Sequence, residues 1–95
     1  MSYEGILKYT DVMETIAPFS RLLGSDPDIC DMGLAWWEDG VVVLWIEFNK
    51  KPDHHGRIKV SSINLNVSSE KMRQDNVYYF VQGYCATHHI TFVET

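Results

Sequence analysis

Long hydrophobic runs are what this chain most clearly lacks. The longest unbroken one extends only from Val41 to Ile46, far short of the ~20 residues a membrane-spanning helix needs. Nor does the N-terminal Met-Ser-Tyr-Glu-Gly carry the basic segment followed by an apolar one that marks a secretory signal. Cysteine is scarce, with Cys30 and Cys85 alone in 95 residues. Without a Cys-x-x-Cys pair or a signal, reduced thiols in a cytoplasmic, soluble protein are the expectation, not a disulfide framework. No glycine-rich phosphate loop, serine elbow or dinucleotide fingerprint occurs, so the commonest nucleotide-dependent and hydrolytic chemistries have no motif here.

Positive charge is the minority sign, eight Lys and Arg against thirteen Asp and Glu for a net charge of −5. The imbalance sits in residues 1–50, with nine acids and three bases, while residues 51–95 hold four acids and five bases. Phosphate backbones are bound through Lys and Arg, so the acidic half argues against direct nucleic-acid binding. It fits a partner with a basic surface, or a solvated acidic exterior. At this length the chain forms one domain, residues 1–95, burying roughly 60 to 65% of its unfolded surface.

What is present centres on Leu34 to Lys50, which reads as a β-hairpin. Asp39-Gly40 can take the two positive-φ positions of a type I′ turn, with β-branched and aromatic residues on both sides. Uninterrupted pairing from that turn sets Trp37 opposite Val42, Trp36 opposite Val43 and Ala35 opposite Leu44. One face then carries Ala35, Trp37, Val42, Leu44, Ile46 and Phe48 and is expected to be the core. The other carries Leu34, Trp36, Glu38, Val41, Val43, Trp45 and Glu47, with Trp36 and Trp45 diagonal neighbours.

Before the hairpin, Asp11 and Glu14 have capping-box spacing, and Val12, Met13, Ile16, Phe19, Leu22 and Leu23 recur at helical intervals up to a stop at Gly24. Pro18 inside this pattern predicts a kink or a break into two short helices. Residues 3–9 can be read as helix or strand, and residues 25–31 as a loop. After the hairpin, the apolar alternation slips phase at Ser61-Ser62, where a β-bulge would keep Ile58, Val60, Ile63, Leu65 and Val67 on one side. Ser68 or Ser69 can cap a second helix carrying Val77, Phe80, Val81, Tyr84, Cys85 and His88 on one stripe. The competing reading makes Val77 to Val81 a strand of a terminal hairpin. Residues 90–94 read as a last strand.

The expected fold is α+β, two helices on one face of a mostly antiparallel sheet of about four strands in the order α-β-β-β-α-β. A strand at residues 3–9 would give a ferredoxin-like variant with one additional strand.

Few constellations suggest chemistry. Cys85, His88 and His89 have helical spacing and the ligand types zinc prefers, and His54-His55 could add a ligand. The same residues are the one nucleophile and base pair legible in the chain. Against both, the apolar stripe points Cys85 inward, where a thiol is inert. Asp26, Asp28 and Asp31 cluster without the glycine and closing glutamate of a calcium loop. Exposed rings on a sheet suggest RNA stacking, yet the flanking charges are acidic and no ribonucleoprotein motif occurs. The reading that remains is a non-catalytic, acidic protein-binding domain needing no cofactor, an inhibitor or accessory protein of phage or mobile-element type. Its expected anchors are Trp36 and Trp45, with Val43 between them and Glu38 and Glu47 at the rim. Self-association through the hairpin is an equally physical use of that patch. Metal- or thiol-dependent activity and RNA binding are the alternatives.

Overall fold

The computed structural model describes residues 12–49, 51, 54 and 59–95. Its elements are α1 (Val12–Leu23), β1 (Asp28–Cys30), β2 (Gly33–Glu38), β3 (Val41–Phe48), β4 (Val60–Leu65), α2 (Glu70–Arg73), α3 (Asp75–His88) and β5 (Thr91–Glu94). The strands form one sheet in the order β1-β2-β3-β4-β5. The first three pairings are antiparallel and β4 with β5 is parallel, a connection that needs the α2–α3 crossover. This is the expected α+β class. The reading of residues 3–9 and the capping box on Asp11 lie outside the described residues.

The helices cover one face. Ile16, Phe19 and Leu23 of α1 and Met72, Val77, Val81 and Cys85 of α2 and α3 share a cluster with Leu34, Trp36, Leu44, Ile46, Phe48, Ile63 and Leu65 of the strands. α1 continues through Pro18 without the break the sequence suggests. Burial of Ile16, Phe19 and Leu23 along one stripe outweighs the single backbone bond proline removes. Its stop is Gly24, at φ 73°, whose N–H donates to the Ser20 carbonyl at 2.8 Å.

The second helical segment exists in two pieces. Ser69 caps α2 by accepting from the Met72 N–H, and extended Gln74 at ψ 141° separates it from α3. Val77, Val81 and Cys85 face the core along α3, so the terminal-hairpin alternative is excluded. The phase slip at Ser61 is a bulge as expected: Glu47 pairs with Ser62 and Phe48 with Val60. β1 is an unexpected strand, a short edge formed where the sequence predicts a loop leading into the hairpin.

The hairpin departs from its expected register in one place. Asp39 and Gly40 adopt φ 52° and 76°, the turn their sequence favours, and Glu38–Val41 and Trp37–Val42 pair as expected. Then the register shifts. Trp36 pairs with Leu44, Ala35 with Trp45 and Leu34 with Ile46, leaving Val43 as an extra residue in β3. Val43 and Leu44 therefore both turn toward the helices, at 5% and 0% exposure. The bulge is tied to the chain after β4: the Asn66 N–H donates to the Val43 carbonyl at 2.9 Å and its Nδ2 to the Val42 carbonyl at 3.4 Å. Trp36 and Trp37 thereby exchange the places expected of them. Trp36 is 1% exposed and Trp37 is 52% exposed.

An inserted residue can be removed without inverting its strand. Deletion of Val43 should leave a folded protein with Trp36 still buried, at a cost of about 1.5 to 3 kcal/mol for the lost valine burial. Deletion of Ala35 should turn Leu34 out of the core and destabilise more. Urea titrations of the two variants measure the difference.

Candidate functional site

The sheet face away from the core cluster carries the candidate site. Alternation along the observed pairings sends Ala35 and Trp37 of β2, Val42, Trp45 and Glu47 of β3, Ser62 and Asn64 of β4, and Val93 of β5 to this side. Trp37 projects most. Val42, Trp45 and Val93 are half-buried, and Ala35 is enclosed at 2% exposure. Trp37 and Trp45 take diagonal positions across Ala35, so the face presents apolar surface from two adjoining strands.

Trp45 owes its placement to a glycine. A Cβ on Gly33 would overlap the Ile46 carbonyl and come within 2.7 Å of Cζ2 of the Trp45 ring. Only a residue without a side chain lets the indole lie down across β2 at that point. Beyond Trp45 the face becomes polar. Ser62 Oγ donates to Glu47 Oε2 at 3.5 Å, and Asn64 Nδ2 donates to Ser62 Oγ at 3.3 Å. Among the described strand residues on this side, Asp28 and Glu47 supply the charge and none is Lys or Arg.

The expected anchor set is therefore divided. Trp45 and Glu47 are on the open face, as the sequence suggests. Trp36 and Val43 are in the core, because the bulge at Val43 turns β2 over relative to Leu44–Phe48 of β3. Glu38 is half-buried at the hairpin mouth on the helix side, beside a recess it shares with Val43, Asn66 and Glu70. Trp37, Val42 and Val93 are the surface residues the sequence reading missed. The Trp36-Trp37 pair must send its rings to opposite faces, so a ring on the open side was legible even though its number was not.

Cys85, His88 and His89 do not converge. Cys85 is buried, and burial raises its thiol from the ordinary 9 to about 11. His88 is exposed and packs on Tyr84 with ring centroids 4.2 Å apart, while His89 is the left-handed cap that ends α3. Among the described residues no group of three His, Cys, Asp or Glu could hold a metal ion, and no helix is long and apolar enough to cross a membrane. Comparison of the chain with protein-family models, curated proteins and solved structures gives no significant match.

Two consequences are measurable. Gly33→Ala should destabilise by about 2 to 3 kcal/mol, and adding Trp45→Ala should restore little, because the Ile46 carbonyl cannot move aside as a ring can. Denaturant midpoints of the single and double variants test this. Cys85 should react slowly with iodoacetamide in the folded state, well behind half-exposed Cys30. Since the folded protein holds the Cys85 proton more tightly than the unfolded chain does, that contribution to stability is complete below about pH 9 and is lost as pH rises through about 11. Alkylation mass spectrometry and a Cys85→Ala comparison of alkaline stability check both statements.

Proposed function

We propose that this is a non-catalytic protein-binding domain, acting as an inhibitor or accessory protein, whose contact surface is the open sheet face around Trp37, Val42, Trp45 and Val93. The observation that carries the reading is Trp37, 52% exposed on a regular strand rather than on a loop tip. Tryptophan is enriched at interface centres, where charged side chains are depleted. This face fits that pattern, with its acids at Asp28 and Glu47 toward the margins. A partner that brings Arg or Lys to the rim would find carboxylates there and indole faces for a cation further in.

The alternatives receive less support. RNA stacking would use the same rings, but the described strand residues of the face offer no cation to a phosphate. Thiol chemistry would need an exposed, acidified cysteine, and Cys85 is shifted the other way.

The test separates the two neighbouring tryptophans. Partners are captured from native extract with wild-type bait, and the affinity of each is then measured. Trp37→Ala should change stability by about 1 kcal/mol or less while weakening binding by roughly 30-fold or more, the effect of an interface anchor. Trp36→Ala, one residue away, should instead cost about 3 to 5 kcal/mol of stability. A Trp37→Ala protein that binds each captured partner with unchanged affinity would remove the reading.

A further inference from the structure

We infer that the open sheet face takes arginine side chains of its partner, with the Trp45 indole and the Glu47 carboxylate as one guanidinium site and Trp37 with Asp28 as a second. The inference rests on the contact surface proposed above and names the chemistry of what covers it. The first site follows from how the Trp45 ring is laid down. A Cβ at Gly33 would come within 2.7 Å of Cζ2 and 3.0 Å of Cη2 of that ring, so the indole leans from β3 onto β2 and rests over the Gly33 backbone. Gly33 pairs with Glu47, and directly opposed positions share a face. The ring that covers Gly33 therefore has the Glu47 side chain beside it, while its outer side stays partly open to a partner.

Glu47 is oriented for this use. The chain of hydrogen bonds from Asn64 Nδ2 through Ser62 Oγ ends on its Oε2, and Oε1 has no hydrogen-bond or ion-pair partner among the described residues. Asp28, exposed on β1, likewise has no ion-pair partner among them. It pairs with Ala35, two residues from Trp37 on the same strand face, which sets the carboxylate and the exposed indole on a diagonal of about 7 to 8 Å. Each site thus joins a π face to an unpaired carboxylate, on a face where no described strand residue is Lys or Arg. That combination selects a guanidinium over an ammonium. The flat ion lies on an indole while its edge N–H groups fork to a carboxylate beside the ring, and it surrenders less hydration in doing so. From Gly33, beneath the Trp45 ring, to Trp37 is four residues of β2, about 13 Å. Two arginines four positions apart in an extended segment have that spacing.

The probe is the peptide acetyl-Arg-Thr-Ser-Thr-Arg-amide, compared with its lysine and citrulline counterparts. Each is titrated into the full isotope-labelled chain at about 150 mM salt, which screens the general attraction of an acidic protein for any cation. The indole N–H signals of the three tryptophans are read by NMR and assigned with Trp37→Phe and Trp45→Phe. The arginine peptide should move the signals of Trp37 and Trp45 and leave that of core Trp36 in place. Its dissociation constant should be millimolar and roughly threefold or more below that of the lysine peptide, and the neutral citrulline peptide should not bind. Glu47→Gln and Asp28→Asn, which keep the side-chain shape at exposed positions, should each weaken the arginine peptide by roughly threefold or more. Signals of Trp37 and Trp45 that stay put, equal affinity for the lysine peptide, or an affinity that either carboxamide variant leaves unchanged would overturn the inference. None of these results would remove the contact surface itself, which is judged separately by Trp37→Ala against captured partners.

Discussion

The contact between Phe19 and Trp36 joins the parts of this small domain. Phe19 is fully buried on α1, with its ring 6.1 Å from that of Trp36 on β2 and 4.9 Å from that of Tyr84 on α3. One side chain therefore ties α1 to α3 and to the middle of the hairpin. Trp36 adds a polar constraint, its Nε1–H donating to the Ser25 carbonyl at 3.0 Å, just past the end of α1. A buried indole N–H without a partner would be costly, and this bond satisfies it while fixing how the chain leaves the helix. Aromatic pairs of this kind contribute about 0.5 to 1.5 kcal/mol beyond area burial. That is a sizeable share of the marginal stability of a 95-residue chain.

That contact exists only because β3 contains one residue more than its partner strand requires. With uninterrupted pairing from Asp39-Gly40, Trp36 would face away from Phe19. The bulge at Val43 reverses β2 without disturbing the turn, and the two bonds from Asn66 hold it from the far side of β3. This explains which parts of the fold were legible in the sequence. The turn at Asp39-Gly40, the caps at Gly24 and Ser69 and the phase slip at Ser61 each leave a local chemical mark. Val41 to Ile46 leaves none, because six consecutive apolar residues have no period from which a shift could be read. Asn66 lies more than twenty positions away, and its hold on Val42 and Val43 is visible only after folding. β1 was obscure for a related reason: three residues beside a turn, with Asp28 at one end, do not look like a strand until β2 supplies partners.

The candidate site was legible in kind and not in membership. An indole pair in sequence guarantees one ring on each side of a strand, and acids at Glu38 and Glu47 suggested a rim. Trp45 and Glu47 are on that side, whereas the partner ring is Trp37. Placement of Trp45 depends on Gly33, a residue whose role comes from what crosses over it. Nothing in Met-Gly-Leu marks the glycine as the floor beneath an indole twelve residues away in sequence and adjacent in space.

The way the open face is held bears on what it can do. Trp45 rests on Gly33, Ala35 is enclosed, and the hydrogen bonds from Asn64 through Ser62 to Glu47 order the polar edge. Trp37, which projects from this base, has two side-chain torsions to fix, so a partner that covered it would meet a small ordering penalty. A flexible loop of the same composition would lose more of its contact energy to immobilisation. The bulge thus has two effects from one inserted residue: it brings Trp36 to Phe19, where the fold needs an anchor, and leaves Trp37 on the already ordered opposite face of the same strand.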